Sequence, residues 1–233
     1  NMSKKLLTQG AEAKIYLKKS KPTARLPLTS GREGEARKPK SSRIRETSNS
    51  KTTILKSRTK KSYRHPTLDN KIRTKRTRSE SKLLTKALEA KINVPKVIQT
   101  DPFTIDLEYI KGDKLSLTLN AYPEKKQFQL MQKLGSQVSL LHQNNIIHGD
   151  LTTSNTILKG DKVFIIDFGL GFISRKIEDK AVDLHLIKQA LNAKHFQNHE
   201  KLFSNFLKGY NPEDKKKTLE RLTAVERRGR YRH

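Results

Sequence analysis

The sequence predicts an α+β fold of two small lobes, with a β-rich N-terminal half and a mostly helical C-terminal half. Short segments rich in β-branched residues lie before residue 110, and one long helical segment interrupts them. Apolar residues recur at helical spacing between residues 128 and 141. Two loop motifs that contain aspartate follow that helical segment: HGDLTTSN at residues 148–155 and IIDFG at residues 165–169.

Five strands are predicted in the N-terminal lobe, which we place at residues 1–110. Residues 4–19 form two of them around the turn QGAEA, residues 52–57 (TTILKS) form the third, and residues 94–110 form the last two. Residues 20–50 are rich in Ser, Thr, Pro, Arg and Lys and hold few large apolar residues. They therefore predict a disordered insertion between strands.

One main helix is predicted in this lobe, from Asp69 to Lys91, with Asp69 as its N-cap. Pro66 is expected to interrupt any helix that extends further towards the N-terminus. Glu80 lies at the edge of an otherwise apolar face, which is expected to pack on the sheet and which also holds Leu84, Ala87 and Leu88. Burying a carboxylate is costly without a cation, and Lys56 on the adjacent strand is the expected partner. The alternative is a surface glutamate that is unrelated to this lysine.

The C-terminal lobe, residues 111–226, is predicted to be reduced and mostly helical. A helix delivers the first loop motif, and its apolar positions are Phe128, Met131, Leu134, Val138 and Leu141. Residues 156–167 (TILKGDKVFIID) predict two short strands around a Gly-Asp turn. The segment after IIDFG is short and leads directly into a helix, and residues 199–228 predict two further helices. Residues 227–233 form a basic tail.

The composition limits the class of protein. A chain of 233 residues can form one domain of two lobes, but only 33% of its residues are hydrophobic and its mean hydropathy is -0.79, so part of it is expected to lie outside a core. The formal charge of +27 favours a polyanionic partner such as nucleic acid, with a solvated, self-repelling surface as the alternative. The absence of cysteine excludes disulfides and thiolate metal sites. No apolar run reaches about 18 residues, so we expect no membrane span and an intracellular protein.

The two loop motifs predict ATP-dependent phosphoryl transfer. This chemistry requires an oriented nucleophile and a divalent metal that neutralises charge on the phosphates. Asp150 is placed to accept a proton from, or to orient, an attacking hydroxyl or water. Asn155 offers an amide oxygen and Asp167 offers a carboxylate, and Mg²⁺ prefers such oxygen ligands. An aspartate in a loop is usually a turn former or helix cap, so the prediction depends on the pairing of the two motifs.

Seven segments give the chain a resemblance to a known family: QGAEA, YRHPTLD, RTRSESKLL, HGDLTTSN, IDFGLGFIS, EDKAVDL and RRGRYR. The chain resembles the small atypical kinase/ATPase subunit of the KEOPS (EKC) complex, the p53-related protein kinase family. The resemblance covers nearly the whole chain and fails over residues 20–50. It implies a minimal bilobal protein-kinase-like fold, and it implies work in the complex that makes the threonylcarbamoyl modification of adenosine in tRNA.

Further expectations follow from this resemblance. It implies an atypical serine/threonine kinase and ATPase that uses ATP and Mg²⁺, binds the threonylcarbamoyl-transferase subunit directly, and can phosphorylate itself or other proteins. Carried onto this sequence, it implies that Lys56 contacts phosphate and that Glu80 is its partner. It also implies catalysis by Asp150 and metal binding by Asn155 and Asp167.

The adenine and phosphate contacts are placed by their order along the chain. Leu107 is expected at the gatekeeper position, and backbone groups near Glu108 and Ile110 are expected to bind the adenine edge. Gly10 is the single glycine of the predicted nucleotide lid, so fewer backbone amides can approach the phosphates closely than in a glycine-rich loop.

Two departures from an ordinary protein kinase concern the acceptor of the phosphoryl group. The sequence His148-Gly149-Asp150 lacks the arginine that would receive an activation-loop phosphate. Thr152 stands where protein kinases place a lysine, which removes a cation expected near the transferring phosphate. Because no substrate-docking segment follows IIDFG either, transfer to a peptide is disfavoured and water is favoured as the acceptor.

Two other functions remain open from the residues alone. The pattern HGDLxxxN followed by a metal-binding aspartate also occurs in small-molecule phosphotransferases of the aminoglycoside- and choline-kinase type, although those generally have a larger, acidic C-terminal lobe. The chain could also be a basic RNA-binding scaffold. The tail is expected to bind tRNA, unless it is only a solvated terminus, through Arg227, Arg228, Arg230 and Arg232 beside Tyr231. We expect a cytoplasmic location, and the basic clusters at residues 60–61 and 75–78 are also compatible with a nuclear one.

Overall fold

The computed structural model describes residues 3–10, 12–19 and 52–230. The insertion predicted at residues 20–50 lies outside the described residues, as does the end of the tail from residue 231 onwards. The described segments form the two lobes of a kinase-like fold, and the cleft between an antiparallel sheet and a helical lobe positions the site.

The N-lobe is built on a five-stranded antiparallel sheet, as the sequence predicts. Its strands are β1 (Ser3–Gln9), β2 (Ala13–Lys19), β3 (Thr52–Arg58), β4 (Val97–Thr100) and β5 (Thr104–Glu108). Their order in the sheet is β1-β2-β3-β5-β4, so β3 lies at the centre. This central position holds the backbone of Lys56 by pairing on both sides, with Ile15 on β2 and with Ile105 on β5.

Helix α1 (Pro66–Glu89) packs on the sheet, and two details of the predicted helix are wrong. The helix begins at Pro66 rather than at Asp69, because proline is tolerated in the first turn, where its missing N–H would have no partner. Leu88 is 41% exposed, whereas the buried apolar positions are Leu83, Leu84 and Ala87.

Asp69 is a buried carboxylate inside the first turn of α1 and not its N-cap. It accepts hydrogen bonds from Nε of Arg73 at 2.7 Å and from the backbone N–H of Lys61 at 3.3 Å. Arg73 in turn stacks over the ring of Phe103, with its guanidinium carbon 4.0 Å from the ring centroid. These contacts join the linker that follows β3 to the start of α1, and they fix the helix relative to the sheet.

The C-lobe contains five helices and two small sheets among the described residues. Its helices are α2 (Leu115–Thr118), α3 (Glu124–Gln143), α4 (Ile177–Lys194), α5 (His199–Gly209) and α6 (Lys215–Arg230). Its strands are β6 (Asp113–Lys114), β7 (Ile146–Ile147), β8 (Thr156–Lys159), β9 (Lys162–Ile165) and β10 (Phe172–Ile173). Strands β8 and β9 form the hairpin predicted around the Gly-Asp turn, and β6 pairs with β8. The predicted lobe boundary at residue 110 falls between β5 and β6 and stays a prediction.

The core of the C-lobe forms where α3 crosses α5. The predicted apolar positions of α3 are buried in that core, except that Phe128 is only partly buried. Gly135 permits the close crossing, because an added Cβ would lie 2.0 Å from the carbonyl oxygen of Phe206 on α5. Within the described residues, no helix has the length and apolar character needed to cross a membrane.

Candidate active site

Lys56 lies at the centre of a chain of ion pairs at the bottom of the cleft. Its Nζ donates to Oε1 of Glu80 at 2.7 Å and to Oδ1 of Asp167 at 2.6 Å. The Lys56 and Glu80 side chains are almost completely buried, whereas that of Asp167 is 41% exposed. The structure therefore brings the predicted strand lysine and helix glutamate into contact, and it adds the aspartate of the second loop motif.

Arg58 is a second cation on Glu80, which the sequence analysis did not identify. Its Nη2 donates to Oε2 of Glu80 at 2.7 Å, so the two carboxylate oxygens bind two different cations. Arg58 and Lys56 are two residues apart on β3, and such residues project from the same face of a strand. This spacing is the feature of the sequence from which Arg58 could have been predicted as a second partner of Glu80.

Both members of the Lys56–Asp167 pair are charged at neutral pH. Burial alone would lower the pKa of the Lys56 ammonium, but the carboxylates of Glu80 and Asp167 outweigh it and raise the pKa above its ordinary value. Burial alone would raise the pKa of the Asp167 carboxyl, but the Lys56 ammonium holds that pKa below its ordinary value. The carboxylate that could bind a metal is therefore ionised.

The backbone of Asp167 has an unusual conformation. Its φ is +64°, in the left-handed region that costs a residue other than glycine roughly 1–3 kcal/mol. The backbone N–H of Gly169 donates to Oδ1 of Asp167 at 3.2 Å and helps to hold this conformation. Strained backbone of this kind persists where the surrounding structure determines it, and it is frequent at functional sites.

Two hydrogen bonds from Asn155 to Asp150 close the loop at residues 148–155, which we call the catalytic loop after its predicted role. The amide Nδ2 of Asn155 donates to the backbone carbonyl of Asp150 at 2.9 Å and to its Oδ2 at 2.8 Å. Because Nδ2 is used in this way, the amide oxygen of Asn155 is the atom that could bind a metal. The backbone N–H of Ile166 donates to the carbonyl oxygen of Asn155 at 2.9 Å, which places Asn155 beside Asp167.

His148 fixes the shape of this loop in one tautomer. The backbone N–H of Asp150 points at Nδ1 of His148 at 3.2 Å, so Nδ1 must be the acceptor and Nε2 carries the proton. Nε2 then donates to the carbonyl oxygen of Ile166 at 3.0 Å. The ring also packs against Phe168, with the ring centroids 4.8 Å apart. A neutral histidine thus joins the catalytic loop to the IIDFG loop.

Asp183 on α4 binds the backbone at the start of the catalytic loop. The sequence analysis gave this residue no role. This fully buried carboxylate accepts from the backbone N–H of His148 at 2.7 Å and from that of Gly149 at 2.8 Å. Its Oδ2 also lies 3.3 Å from Nε2 of His142, whose Nδ1 is 2.8 Å from the hydroxyl of Tyr210. Burial raises the pKa of the Tyr210 hydroxyl, which therefore stays protonated as a donor.

Gly149 shows why the arginine of an ordinary kinase is missing here. Its φ is +76°, and an added Cβ would lie 2.4 Å from the carbonyl oxygen of Leu170. The catalytic loop and the segment after IIDFG therefore approach too closely for any side chain at this position.

An apolar compartment lies above Lys56, between the sheet and the C-lobe. Its volume is about 360 Å³, and its walls include Ile15, Ile54, Leu84, Ile157 and Ile166. Leu107, Glu108 and Ile110 line it as well, so the three residues predicted from chain order meet at one place. The backbone N–H of Glu108 donates to the carbonyl of Lys96 at 2.8 Å. Of the two backbone groups of Glu108, the carbonyl is therefore the one that could bind a ligand.

A polar compartment continues the cleft past Asp167. Its volume is about 370 Å³, and Lys56, Asp150 and Asp167 line it together with Gly10. The described residues contain no cluster of three or more His, Cys, Asp or Glu that could hold a metal by itself. The oxygen donors of Asn155 and Asp167 fit Mg²⁺, because Mg²⁺ commonly binds one or two carboxylates together with substrate phosphates.

The arginines predicted to bind tRNA lie at the end of the chain, and those within the described residues belong to α6. Helix α6 includes Arg227 and Arg228, both exposed, and extends to Arg230. Nη1 of Arg228 donates to Oε1 of Glu178 on α4 at 2.9 Å. Arg232 lies outside the described residues, so the tail remains a predicted site.

The chain is similar to known proteins over most of its length. Residues 31–184 match the model of the RIO domain family. The KEOPS complex subunit Bud32 of Pyrococcus abyssi is 39% identical over 98% of this chain and 96% of its own length. The chain belongs to the Bud32 family. An EKC/KEOPS complex subunit BUD32 from Encephalitozoon cuniculi is 42% identical over 77% of this chain and 88% of its own length.

Solved structures agree on the fold. The Rio2 kinase of Chaetomium thermophilum, solved as an ADP/Mg²⁺-phosphoaspartate complex, superimposes with a TM-score of 0.60 over 100% of this chain and 72% of its own. WaaP in complex with acyl carrier protein gives a TM-score of 0.59 over 97% of this chain and 88% of its own. At 12% and 13% identity these neighbours establish the kinase-like fold alone.

Larger archaeal relatives contain a similar chain as one part. A probable bifunctional tRNA threonylcarbamoyladenosine biosynthesis protein of Methanosarcina acetivorans is 35% identical over 78% of this chain, which spans only 32% of the relative. The remaining two thirds of that relative have no counterpart in this chain.

Proposed function

We propose that this chain hydrolyses ATP with Mg²⁺ as the kinase-like subunit of a KEOPS complex, and that hydrolysis supports the threonylcarbamoyl modification of tRNA. One observation carries the proposal: the Lys56–Glu80 pair and the Asp150–Asn155 hydrogen bonds converge with Asp167 on one cleft. The names of the relatives support the task, since they refer to KEOPS and to tRNA threonylcarbamoyladenosine biosynthesis.

The apolar compartment would bind the base of ATP. Its aliphatic walls would enclose the adenine, and the Glu108 carbonyl and the Ile110 backbone would face the polar edge. The phosphates would then enter the polar compartment under the turn that contains Gly10. Lys56 lies where the two compartments meet, so its ammonium would neutralise charge on the phosphates.

Asp150 would act on the attacking molecule. The two hydrogen bonds from Asn155 hold its carboxylate, which lines the polar compartment. It would orient a water molecule and accept its proton as the water oxygen attacks the terminal phosphorus. Asn155 and Asp167 would hold Mg²⁺, which supplies charge neutralisation on the phosphates when it is bound.

The fate of the γ-phosphate of ATP tests this proposal. The purified chain is incubated with γ-labelled ATP and Mg²⁺, with and without the threonylcarbamoyl-transferase partner and tRNA. We expect the label to leave mainly as free phosphate, at a rate that increases with partner and tRNA. Label that accumulates on protein, at a rate indifferent to both, would contradict hydrolysis as the main reaction.

Transfer to a protein hydroxyl is a second candidate, and one observation favours it. Thr8 at the end of β1 lines both compartments of the cleft, so a hydroxyl of the chain itself lies beside the proposed phosphate site. The same labelling experiment separates the two reactions, because self-phosphorylation of this kind would place the label on Thr8. The loss of that label in Thr8→Val would identify the acceptor.

The threonylcarbamoyl-transferase subunit is the proposed protein partner. The bifunctional relatives support this proposal, because they join a chain of this kind to a larger second part. Leu170, Phe172 and Ile173 are exposed beside the catalytic loop, at 57%, 43% and 53%, and they offer an apolar surface for such a contact. A partner at this surface would lie close to Asp150.

Direct contact with tRNA is proposed at two places. One is the tail that contains Arg227, Arg228, Arg230 and Arg232. The other is a basic stripe on α1, formed by Lys71, Lys75, Arg78 and Lys82, whose spacing puts the four on one helix face. All four are exposed, and none belongs to an ion pair among the described residues. In contrast, Arg73 and Arg76 on the same helix pair with Asp69 and Glu12.

The salt dependence of tRNA binding tests both surfaces. Changing the four stripe residues to glutamine is expected to weaken tRNA binding and to flatten the plot of log affinity against log salt by about 3, since each lost phosphate contact removes about 0.7–0.9. The same change at the tail arginines is expected to act in the same direction. Glutamine at the exposed Lys125, Lys162, Lys194 and Lys216 is the charge-matched control. A slope equal to that of the control would contradict contact at the surface concerned.

A further inference from the structure

The catalytic loop of this chain lacks a cation near the transferring phosphate. Two residues after Asp150 the chain has Thr152, which carries no charge. Positive charge at the transferring phosphate stabilises the transition state of phosphoryl transfer. Lys56 brings one cation to the polar compartment, so a second cation at the transferring phosphate must come from another element of the fold.

Arg76 on α1 is the cation best placed for this role. The cations that line the polar compartment, among the described residues, are Lys56, Arg58, Arg76 and Lys114. Lys56 and Arg58 are buried and bound to Glu80, and Lys114 also lines the apolar compartment. Arg76 lies one helical turn before Glu80, so it projects from the same face of α1, and its side chain is 36% exposed.

The guanidinium of Arg76 already reaches the turn that covers the polar compartment. Its Nη1 donates to Oε2 of Glu12 at 2.6 Å, and Glu12 lies in the turn between β1 and β2 together with Gly10. The Glu12 side chain is 48% exposed, and an exposed ion pair of this kind contributes little to stability. A polyphosphate carries more negative charge than one carboxylate, and the forked guanidinium binds phosphate oxygens well, so ATP would compete with Glu12 for Arg76.

We propose that Arg76 is a phosphate-contacting catalytic residue, which leaves Glu12 when ATP binds and donates hydrogen bonds to the terminal phosphate during transfer. The proposal rests on the ATP hydrolysis proposed above. Arg76 forms no covalent bond in the step. The water oxygen bonds to the terminal phosphorus, the bond from that phosphorus to the ADP oxygen breaks, and Asp150 accepts the water proton.

A simple tether makes a different prediction from a catalytic arginine. If the Arg76–Glu12 pair only fastens the β1–β2 turn to α1, removing either partner breaks the tether and has the same effect. If Arg76 contacts phosphate, Glu12 is its competitor. Removing Glu12 then frees the guanidinium and removes a negative charge from the phosphate path, so the two changes act in opposite directions.

Nucleotide binding and turnover of the full chain test the proposal. The variants are Arg76→Ala, Arg76→Lys and Glu12→Gln, and Arg221→Ala is the control, because Arg221 is also in an exposed pair with a glutamate but lies on α6. The affinities for a non-hydrolysable ATP analogue and for ADP are measured in the presence of Mg²⁺, together with kcat for phosphate release. Thermal unfolding shows that each variant is folded.

We expect Arg76→Ala to lower kcat by about 100-fold and to weaken binding of the analogue but not of ADP. Arg76→Lys should lie between wild type and Arg76→Ala, and Glu12→Gln should bind the analogue about 3-fold more tightly, since it removes a competing exposed ion pair. Equal losses of analogue binding in Arg76→Ala and Glu12→Gln would overturn the proposal in favour of a tether. An Arg76→Ala variant that behaves like Arg221→Ala would also overturn it. The binding measurement does not depend on turnover, so it separates a failure of this proposal from a failure of ATP hydrolysis.

Discussion

Replacing Asp183 with alanine is expected to lower the melting temperature of the chain by roughly 6–20 °C. The change leaves the backbone N–H groups of His148 and Gly149 without their acceptor in a fully buried place, and it removes the partner of Nε2 of His142. Breaking a buried set of this kind costs about 3–5 kcal/mol. Thermal unfolding followed by circular dichroism measures the effect.

The same change should also reduce turnover, since Asp183 positions the catalytic loop. A displacement of about 1 Å in a catalytic group can cost about 100-fold in rate. Asp161 in the β8–β9 turn supplies the control, because its side chain is 92% exposed and Asp161→Ala should alter neither stability nor turnover measurably. An Asp183→Ala variant that melts with wild type would show that these hydrogen bonds do not hold the loop.

The Asp150→Ala and Asp167→Ala variants are expected to lose ATP turnover while they remain folded. Loss of the Asp150 carboxylate removes the group that orients the attacking water, for which a decrease in kcat of about 10²–10⁴-fold is typical. Loss of Asp167 removes the carboxylate proposed to bind metal and one partner of Lys56. Phosphate release at saturating ATP and Mg²⁺ measures both effects.

Stability separates these two variants from Asp183→Ala. Asp150 and Asp167 are only partly buried, so their replacement should change the melting temperature much less. Asp167→Ala does not relieve the strained backbone, because alanine tolerates a φ of +64° no better than aspartate does. Turnover close to wild type in both variants would mean that ATP is hydrolysed elsewhere or not at all.

Local patterns were sufficient to predict most of the fold and the centre of the cleft. The five N-lobe strands, the β8–β9 hairpin and the α3 helix follow from residue alternation, turn residues and helical spacing. The contact between Lys56 and Glu80 follows from the cost of burying a carboxylate on an apolar helix face. The strand, turn and helix signals each lie within one segment, and the Lys56–Glu80 contact joins two segments that follow each other along the chain.

The residues that sequence reasoning missed or misassigned depend on burial and on packing that a local pattern does not reveal. Asp183 lies 35 residues after His148, and its role becomes visible only when α4 packs beneath the catalytic loop. A signal was present, because Asp183 lies one turn before the buried Ile187 on the same face of α4 and next to the buried Leu184. Asp69 was mistaken for a helix cap because its partner Arg73, one turn later, can be recognised only once the burial of the pair is known.

The modification of tRNA by a reconstituted complex tests the central claim most directly. Complexes are assembled with either the wild-type chain or Asp150→Ala, and assembly is verified before threonylcarbamoyl-adenosine in tRNA is measured. The account predicts that Asp150→Ala joins the complex but reduces modification to the level seen without this chain. Modification at the wild-type rate by the Asp150→Ala complex would contradict the claim that ATP turnover in this cleft supports the reaction.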